Sequence, residues 1–357
     1  MNTRKLLVLV SILICVSLVA CQAQATSVAP TTVPPPTDVP PTQAPVAIDS
    51  VVDFDHVADI SDEVETIPVD LFNDRVPLVA FDSIWFLSTE DGKVTRWDPE
   101  THQVLATMEV GDPNKTPYGD PAAAVATSDA IWITSVATHE IVKVDPQTNQ
   151  IVDRITLPKA NGDQDFLTWN MVLVGNTAWV WDYDKKFAQG IDLNTKQVVR
   201  TFENVNSISS FDGSLWISDS KGATQMDPET NQAVKQLPPY SPLPIMSTDG
   251  SLWGFKGSSV RRMDSETGQV IANINLGIPV RDMKFANGSL WVTVSAGPPP
   301  ACHNGSYLVQ IDPKTNTAVG KIALDCPFDI LPYKDSLWVA GADEADATHL
   351  LLTHIQP

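Results

Sequence analysis

Seven tryptophans recur in one frame of this 357-residue chain, and their spacing restricts the fold more than any other feature. They are Trp85, Trp132, Trp179, Trp216, Trp253, Trp291 and Trp338. Most close a triplet of a small or polar residue, an apolar residue and the indole, as in Ser83-Ile84-Trp85, Ala130-Ile131-Trp132, Ser214-Leu215-Trp216 and Ser336-Leu337-Trp338. The steps between them are 47, 47, 37, 37, 38 and 47 residues. A unit of roughly 40 to 50 residues, rich in short strands, cannot bury its own faces and must stack on copies of itself, which is how a propeller blade behaves. The chain is therefore expected to be all-β: a seven-bladed β-propeller of four-stranded blades over residues 62–357.

A second marker keeps step with the first. It reads Asp98-Pro99-Glu100-Thr101, Asp145-Pro146-Gln147-Thr148, Asp227-Pro228-Glu229-Thr230 and Asp312-Pro313-Lys314-Thr315, with weaker copies at Asp192 and Asp264. Asp accepts a hydrogen bond from a backbone N–H two residues on, and Pro presets φ at the next position. Asn149, Asn231, Gly268 and Asn316 follow where a left-handed residue would close the turn. These aspartates are read as turn formers, not metal ligands. In the first repeat the strands are expected at Leu78–Phe81, Ile84–Ser88, Val94–Trp97 and Val104–Val110. Apolar and polar residues alternate poorly, as in sheets covered on both faces by neighbours, so the repeated indoles belong between blades.

The seventh repeat lacks a fourth strand: after Trp338 only Leu350–Ile355 remains. Val64–Val69 resembles the fourth strands of other repeats, so this N-terminal strand is expected to complete the last blade. Closing the ring in this way removes exposed strand edges.

Upstream, Arg4-Lys5 precedes a mainly apolar run of 15 residues, Leu6–Ala20, too short to span a bilayer and suited to a secretory signal. Leu18-Val19-Ala20-Cys21 resembles the lipobox of bacterial lipoproteins. That resemblance implies a signal peptide at 1–20 and acyl chains on Cys21, anchoring the chain to the bacterial cell membrane and facing outside the cytoplasm. Residues 21–61 form a Pro/Thr-rich tether with an acidic lead-in from Asp49 to Glu63, and the proline-rich part favours extended states. Cleavage before Cys21 removes Arg4 and Lys5 and no acid, so 21 basic and 43 acidic residues leave a charge of −22. Such a surface excludes nucleic acid as a partner. The chain is expected to be a monomer.

Cys302 lies between a second and a third strand and Cys326 in the loop entering the next blade, two loops of one propeller face. In an exported domain they are expected to pair. The chain holds no Gly-rich phosphate loop, HExxH or GxSxG motif, and its six histidines show no ligand spacing. No metal site and no resident cofactor are expected from the residues.

The unit Leu-Trp-Val, Val-x-x-Ile-Asp-Pro-x-Thr, Val-x-x-x-Ile is clearest in residues 289–322. It resembles the exported YVTN-type propellers and the virginiamycin B lyase-like (streptogramin lyase) superfamily. That resemblance implies the seven-bladed fold and, as an alternative to a binding or scaffold role, a lyase with Mg2+ held by acidic and histidine residues at one end of the channel. No residue of that lyase site matches this chain position by position, so none is carried over. Inner strands start nine or ten residues before each repeat Trp, where propeller ligands gather. The expected mouth residues are Arg75, Trp169, Asn170, Asn206, Arg281, Asp282 and Asp329. Blades 6, 7 and 1 are neighbours and would bring Arg281, Asp282, Asp329 and Arg75 together, with Trp169 as a stacking platform. The expected partner is a protein or a small polar ligand with an anionic or zwitterionic group.

Overall fold

The computed structural model describes residues 48–61, 64–72, 76–115, 120–158, 168, 170–227, 229–230, 232–238, 246–248, 250–297, 302, 305–342 and 349–356, all within one compact unit, Pro45–Pro357. Seven antiparallel sheets follow one another along the chain, six of them closed by sequence-local hairpins. Blade 1 comprises Val76–Ala80, Ser83–Ser88, Lys93–Asp98 and Gln103–Glu109. Its inner strand stops one residue earlier than the sequence suggests, because Phe81 and Asp82 turn the chain with φ of 53° and 51°. That left-handed pair matches the twist of a two-residue hairpin.

Blade 7 is built from both ends of the propeller. Pro327–Tyr333, Ser336–Ala342 and His349–Ile355 are joined by Val64–Phe72, with Val64 opposite Ile355 and Val69 opposite Leu350. The expected clasp is thus present, with the register just given. Upstream of it the chain does more than lead in. Ile48–Val51 adds a parallel fifth strand outside blade 5, and Ala58–Asp59 adds one outside blade 6. Between them Phe54 stacks on Tyr307 at 4.8 Å, and Ile60 fills the space a side chain would need at Gly320. The strap works because outer strands of propeller blades are open edges that any extended segment can pair.

All seven repeat indoles are buried, none more than 3% exposed, and sit in the clusters between neighbouring blades. Across the pair to the third strand, each indole faces one residue: Arg96, Lys143, Gly190, Gln225, Arg262, Gln310 or His354. Gly190 is glycine because a Cβ there would lie 2.9 Å from the Trp179 ring. The Asp turns form as read. In each of the six, the Asp carboxylate accepts the N–H two residues on. His102, Asn149, Lys196, Gly268 and Asn316 take the left-handed position after them. Cys302 and Cys326 form the disulfide, with Cα atoms 5.3 Å apart.

Candidate functional site at the channel mouth

Among the described residues, two inner strands depart from regular pairing, and they are adjacent. In Val280–Ala286 of blade 6 the register slips between Val280 and Asp282, leaving Arg281 as a bulge. In Pro327–Tyr333 of blade 7 it slips between Pro327 and Asp329, leaving Phe328 as a bulge. Bulges redirect side chains and concentrate beside functional sites. Here they present Asp282 and Asp329, each nine residues before its repeat Trp.

Thr293, two residues after Trp291, holds the two bulges together. Its hydroxyl accepts the Asp282 N–H at 3.0 Å and donates to the Phe328 carbonyl at 3.1 Å. Thr134 plays the same part between blades 2 and 3, bonding Ala123 N–H and the Thr168 carbonyl. A hydroxyl in this frame is visible in the sequence, but its role appears only when the neighbouring blade is in place.

The Asp282 carboxylate reaches from blade 6 to blade 7. It accepts the Ile330 N–H at 2.9 Å and the Lys284 ammonium at 2.6 Å. Asp329 has neither kind of support. No hydrogen bond lowers its pKa; burial and the neighbouring Asp282 charge push it up to about 7, against a weaker opposing pull from Lys284. The Asp329 carboxyl is thus poised to titrate at neutral pH.

The remaining expected mouth residues behave differently. Arg281 is exposed and its guanidinium donates to the Ser295 carbonyl at 3.0 Å, on its own blade. Asn170 starts the inner strand of blade 3, half-buried. Asn206 is exposed in the turn before the inner strand of blade 4, its N–H given to the Ser218 carbonyl. Arg75 and Trp169 lie outside the described residues. Lys284, which the count of nine and ten residues passes over, pairs with Asp282 at 2.6 Å; it sits two residues along the same strand face.

The opposite ends of the inner strands carry two clefts between blades. One, of about 560 Å3, opens between blades 2 and 3 beside Trp132, Lys143 and Lys196. The other, of about 410 Å3, opens between blades 7 and 1 beside Glu100, Lys334, Trp338 and His354. Both are lined by ion pairs that already satisfy each other: Lys143–Asp129, Lys196–Asp153 and Lys334–Glu100.

No protein-family model matches the chain, and no curated protein does. Solved structures do match. One described as a streptogramin B lyase superposes with a TM-score of 0.61 at 16% identity, over 82% of this chain and 97% of that one. The WD40 β-propeller domain of Doa1 gives 0.60 at 13% identity, over 82% and 96%. The dihydro-heme d1 dehydrogenase NirN gives 0.54 at 14% identity, over 79% and 62%. A lyase, a WD40 module and a haem dehydrogenase share this architecture, so the likeness establishes the fold and leaves function to the site.

Proposed function

We propose that the chain is a lipid-tethered, extracytoplasmic binding module whose propeller presents its channel mouth to a small polar ligand. The observation that carries this reading is the Asp282–Lys284–Asp329 group, set on two bulged strands that Thr293 locks together. Polar groups fixed on strands and held by their own hydrogen bonds are preorganised for recognition. The anchor rests on the Leu18-Val19-Ala20-Cys21 sequence and the proline-rich stretch after it, whose reach when extended is on the order of 80 Å. Cys21→Ser tests the anchor: the variant should leave the membrane fraction or keep its signal peptide. A processed variant that still pellets fully with membranes would sink it.

A second reading is a lyase like the streptogramin B lyase that shares this fold. Its metal would need several carboxylate or histidine donors converging on one ion. Among the described residues no group of three or more His, Cys, Asp or Glu side chains is so placed, and Asp282 is already taken by Lys284 and the Ile330 N–H. Those donors do not fit a resident magnesium ion, and no catalytic step is derived through one.

A further inference from the structure

We infer that the cleft between blades 7 and 1 is a guanidinium seat that the chain itself leaves unfilled, and that it takes an arginine side chain or another guanidinium compound from outside. The pattern for it is internal. At two other blade junctions the same seat is filled by an arginine of the protein. Arg96 lies 5.1 Å from the centre of the Trp85 ring, and its Nε donates to the Ser83 hydroxyl at 2.8 Å. Its terminal nitrogens donate to the Phe81 carbonyl on its own blade and to the Pro146 carbonyl in the Asp turn of the next. Arg262 repeats the ring, hydroxyl and turn contacts with Trp253, Ser251 and Pro313. The seat is thus defined by position: the hydroxyl two residues before the repeat Trp, the carbonyl four before it, and the carbonyl just after the turn Asp of the following blade.

The junction of blades 7 and 1 holds all three. Counting from Trp338 gives Ser336 and the Lys334 carbonyl, and counting from Asp98 gives the Pro99 carbonyl. These residues line the cleft of about 410 Å3, together with Glu100 and His354. The Ser336 hydroxyl spends its proton on the Tyr333 carbonyl at 3.0 Å, as Ser83 does on Phe81, which leaves its lone pairs to accept. The arginine is what this junction lacks. His354 faces Trp338 from the third strand, and its imidazole lies flat on the indole at 4.4 Å. That ring ends short of the acceptors beyond it, and among the described residues no side chain donates to the Pro99 or Lys334 carbonyl.

One residue beside the seat adds charge that the filled junctions do not have. The position after the turn proline is Gln147 in blade 2 and Lys314 in blade 6, but Glu100 here. The Glu100 carboxylate takes the Lys334 ammonium at 2.7 Å and the Tyr333 hydroxyl at 3.4 Å, both on Oε1. That ion pair is more than half exposed on both sides, so water screens it and a better partner can open it. A guanidinium is such a partner, because its planar fork donates to a carboxylate and to carbonyls in several directions at once, which an ammonium cannot do. The cleft between blades 2 and 3 fails the same comparison. Ala130 stands where the hydroxyl is needed, and Lys143 and Lys196 already bring two cations into it. The seat lies at the end of the inner strands away from the channel mouth and does not depend on what binds there.

The experiment is calorimetric titration of the full-length chain with argininamide, with lysinamide and citrullinamide as controls for charge and for shape. Argininamide should bind at least about tenfold more tightly than either. Ser336→Ala and Glu100→Gln should each weaken it roughly three- to tenfold. His354→Arg supplies the missing side chain from within, so it should abolish argininamide binding and raise the urea midpoint. Asp129→Asn, in the cleft of blades 2 and 3, should leave binding as it is. The pentapeptide Gly-Gly-Arg-Gly-Gly distinguishes the sources: tighter binding than argininamide assigns the seat to an arginine of a partner protein, equal or weaker binding to a small guanidinium compound. Absence of argininamide binding overturns the inference. So does equal affinity for lysinamide or citrullinamide, or binding that a folded His354→Arg variant retains. Should that variant not fold, an affinity untouched by both Ser336→Ala and Glu100→Gln overturns it instead.

Discussion

A single side-chain position, the one facing each repeat indole from the third strand, decides how tightly two blades are joined. In blade 1 it is Arg96. Its guanidinium lies 5.1 Å from the Trp85 ring centre, bonds the Ser83 hydroxyl at 2.8 Å, and crosses to the Pro146 carbonyl and the Asn149 side chain in the next blade's Asp turn. Arg262 repeats the arrangement on Trp253, Ser251, Pro313 and Asn316. Only the planar fork of arginine can stack and donate in three directions at once. Lys143 in the same position stacks on Trp132 but turns to Asp129, and His354 lies flat on Trp338. At both of those junctions the slot stays open as a cleft. Arg96→Ala and Arg262→Ala should each cost about 1.5–3 kcal/mol, because buried acceptors in two blades lose their donor. Lys143→Ala should cost less than about 1 kcal/mol, as expected of a mostly solvent-screened pair. Urea denaturation of the three variants checks the ranking, and equal losses would show that the arginines do not act as inter-blade bolts.

At the scale of strands, ring closure and strapping are separate devices. The clasp Val64–Phe72 supplies a full fourth strand to blade 7, with Val69 buried against Leu350 and Leu352. The strap that precedes it pairs only at open outer edges; Val51 is 77% exposed, and its main apolar contacts are those of Phe54 and Ile60. Replacing residues 48–61 with a Gly/Ser linker of equal length should therefore lower stability by about 1–3 kcal/mol and leave one cooperative transition. Replacing residues 64–72 should remove the shared blade and with it cooperative unfolding. Urea transitions followed by far-UV dichroism distinguish the two; a larger loss from the strap than from the clasp would reverse this assignment. The clasp was legible because Val64–Val69 copies the pattern of a fourth strand, and the Asp turns because each carries its whole local chemistry in consecutive residues. The strap was not, because Ile48-Asp49-Ser50-Val51 has no repeat to resemble and becomes a strand only against the edge of blade 5. At the mouth, counting back from each Trp picks out Arg281, Asp282 and Asp329, but the bulges at Arg281 and Phe328 and the bond from Arg281 to the Ser295 carbonyl appear only once the strands are paired.

For the molecule as a whole, acidic groups pull stability in opposite directions along the pH scale. The chain carries a net charge of −20, and six of its carboxylates sit in the Asp turns. Asp98, Asp145, Asp192, Asp227, Asp264 and Asp312 all titrate below the usual 3.8, chiefly because backbone N–H groups of their own turns bind the anion. A folded-state pKa below the unfolded one gives stability that is present above about 4 and lost as pH falls through the depressed values. Asp329 does the reverse. Its folded carboxyl titrates at about 7 against 3.8 in the unfolded chain, so folding takes up a proton between those values. Stability must then fall as pH rises from about 4 to about 7 and level off beyond, by an amount on the order of a few kcal/mol. His354 opposes this trend: burial pushes its pKa below 6.5, so it removes stability as pH drops below that point. The raw pH profile is thus a sum, and the contribution of Asp329 is isolated by difference. Asp329→Asn keeps the shape of the side chain and cannot ionise. Subtracting its urea unfolding free energy from that of the wild-type chain cancels the turns, His354 and the general charge repulsion. The variant should gain on the wild-type chain between about pH 4 and about pH 7 and hold a constant lead beyond. A difference that stays flat across this range would mean that Asp329 is ionised in the folded protein at neutral pH, with a partner supplied from elsewhere in the mouth.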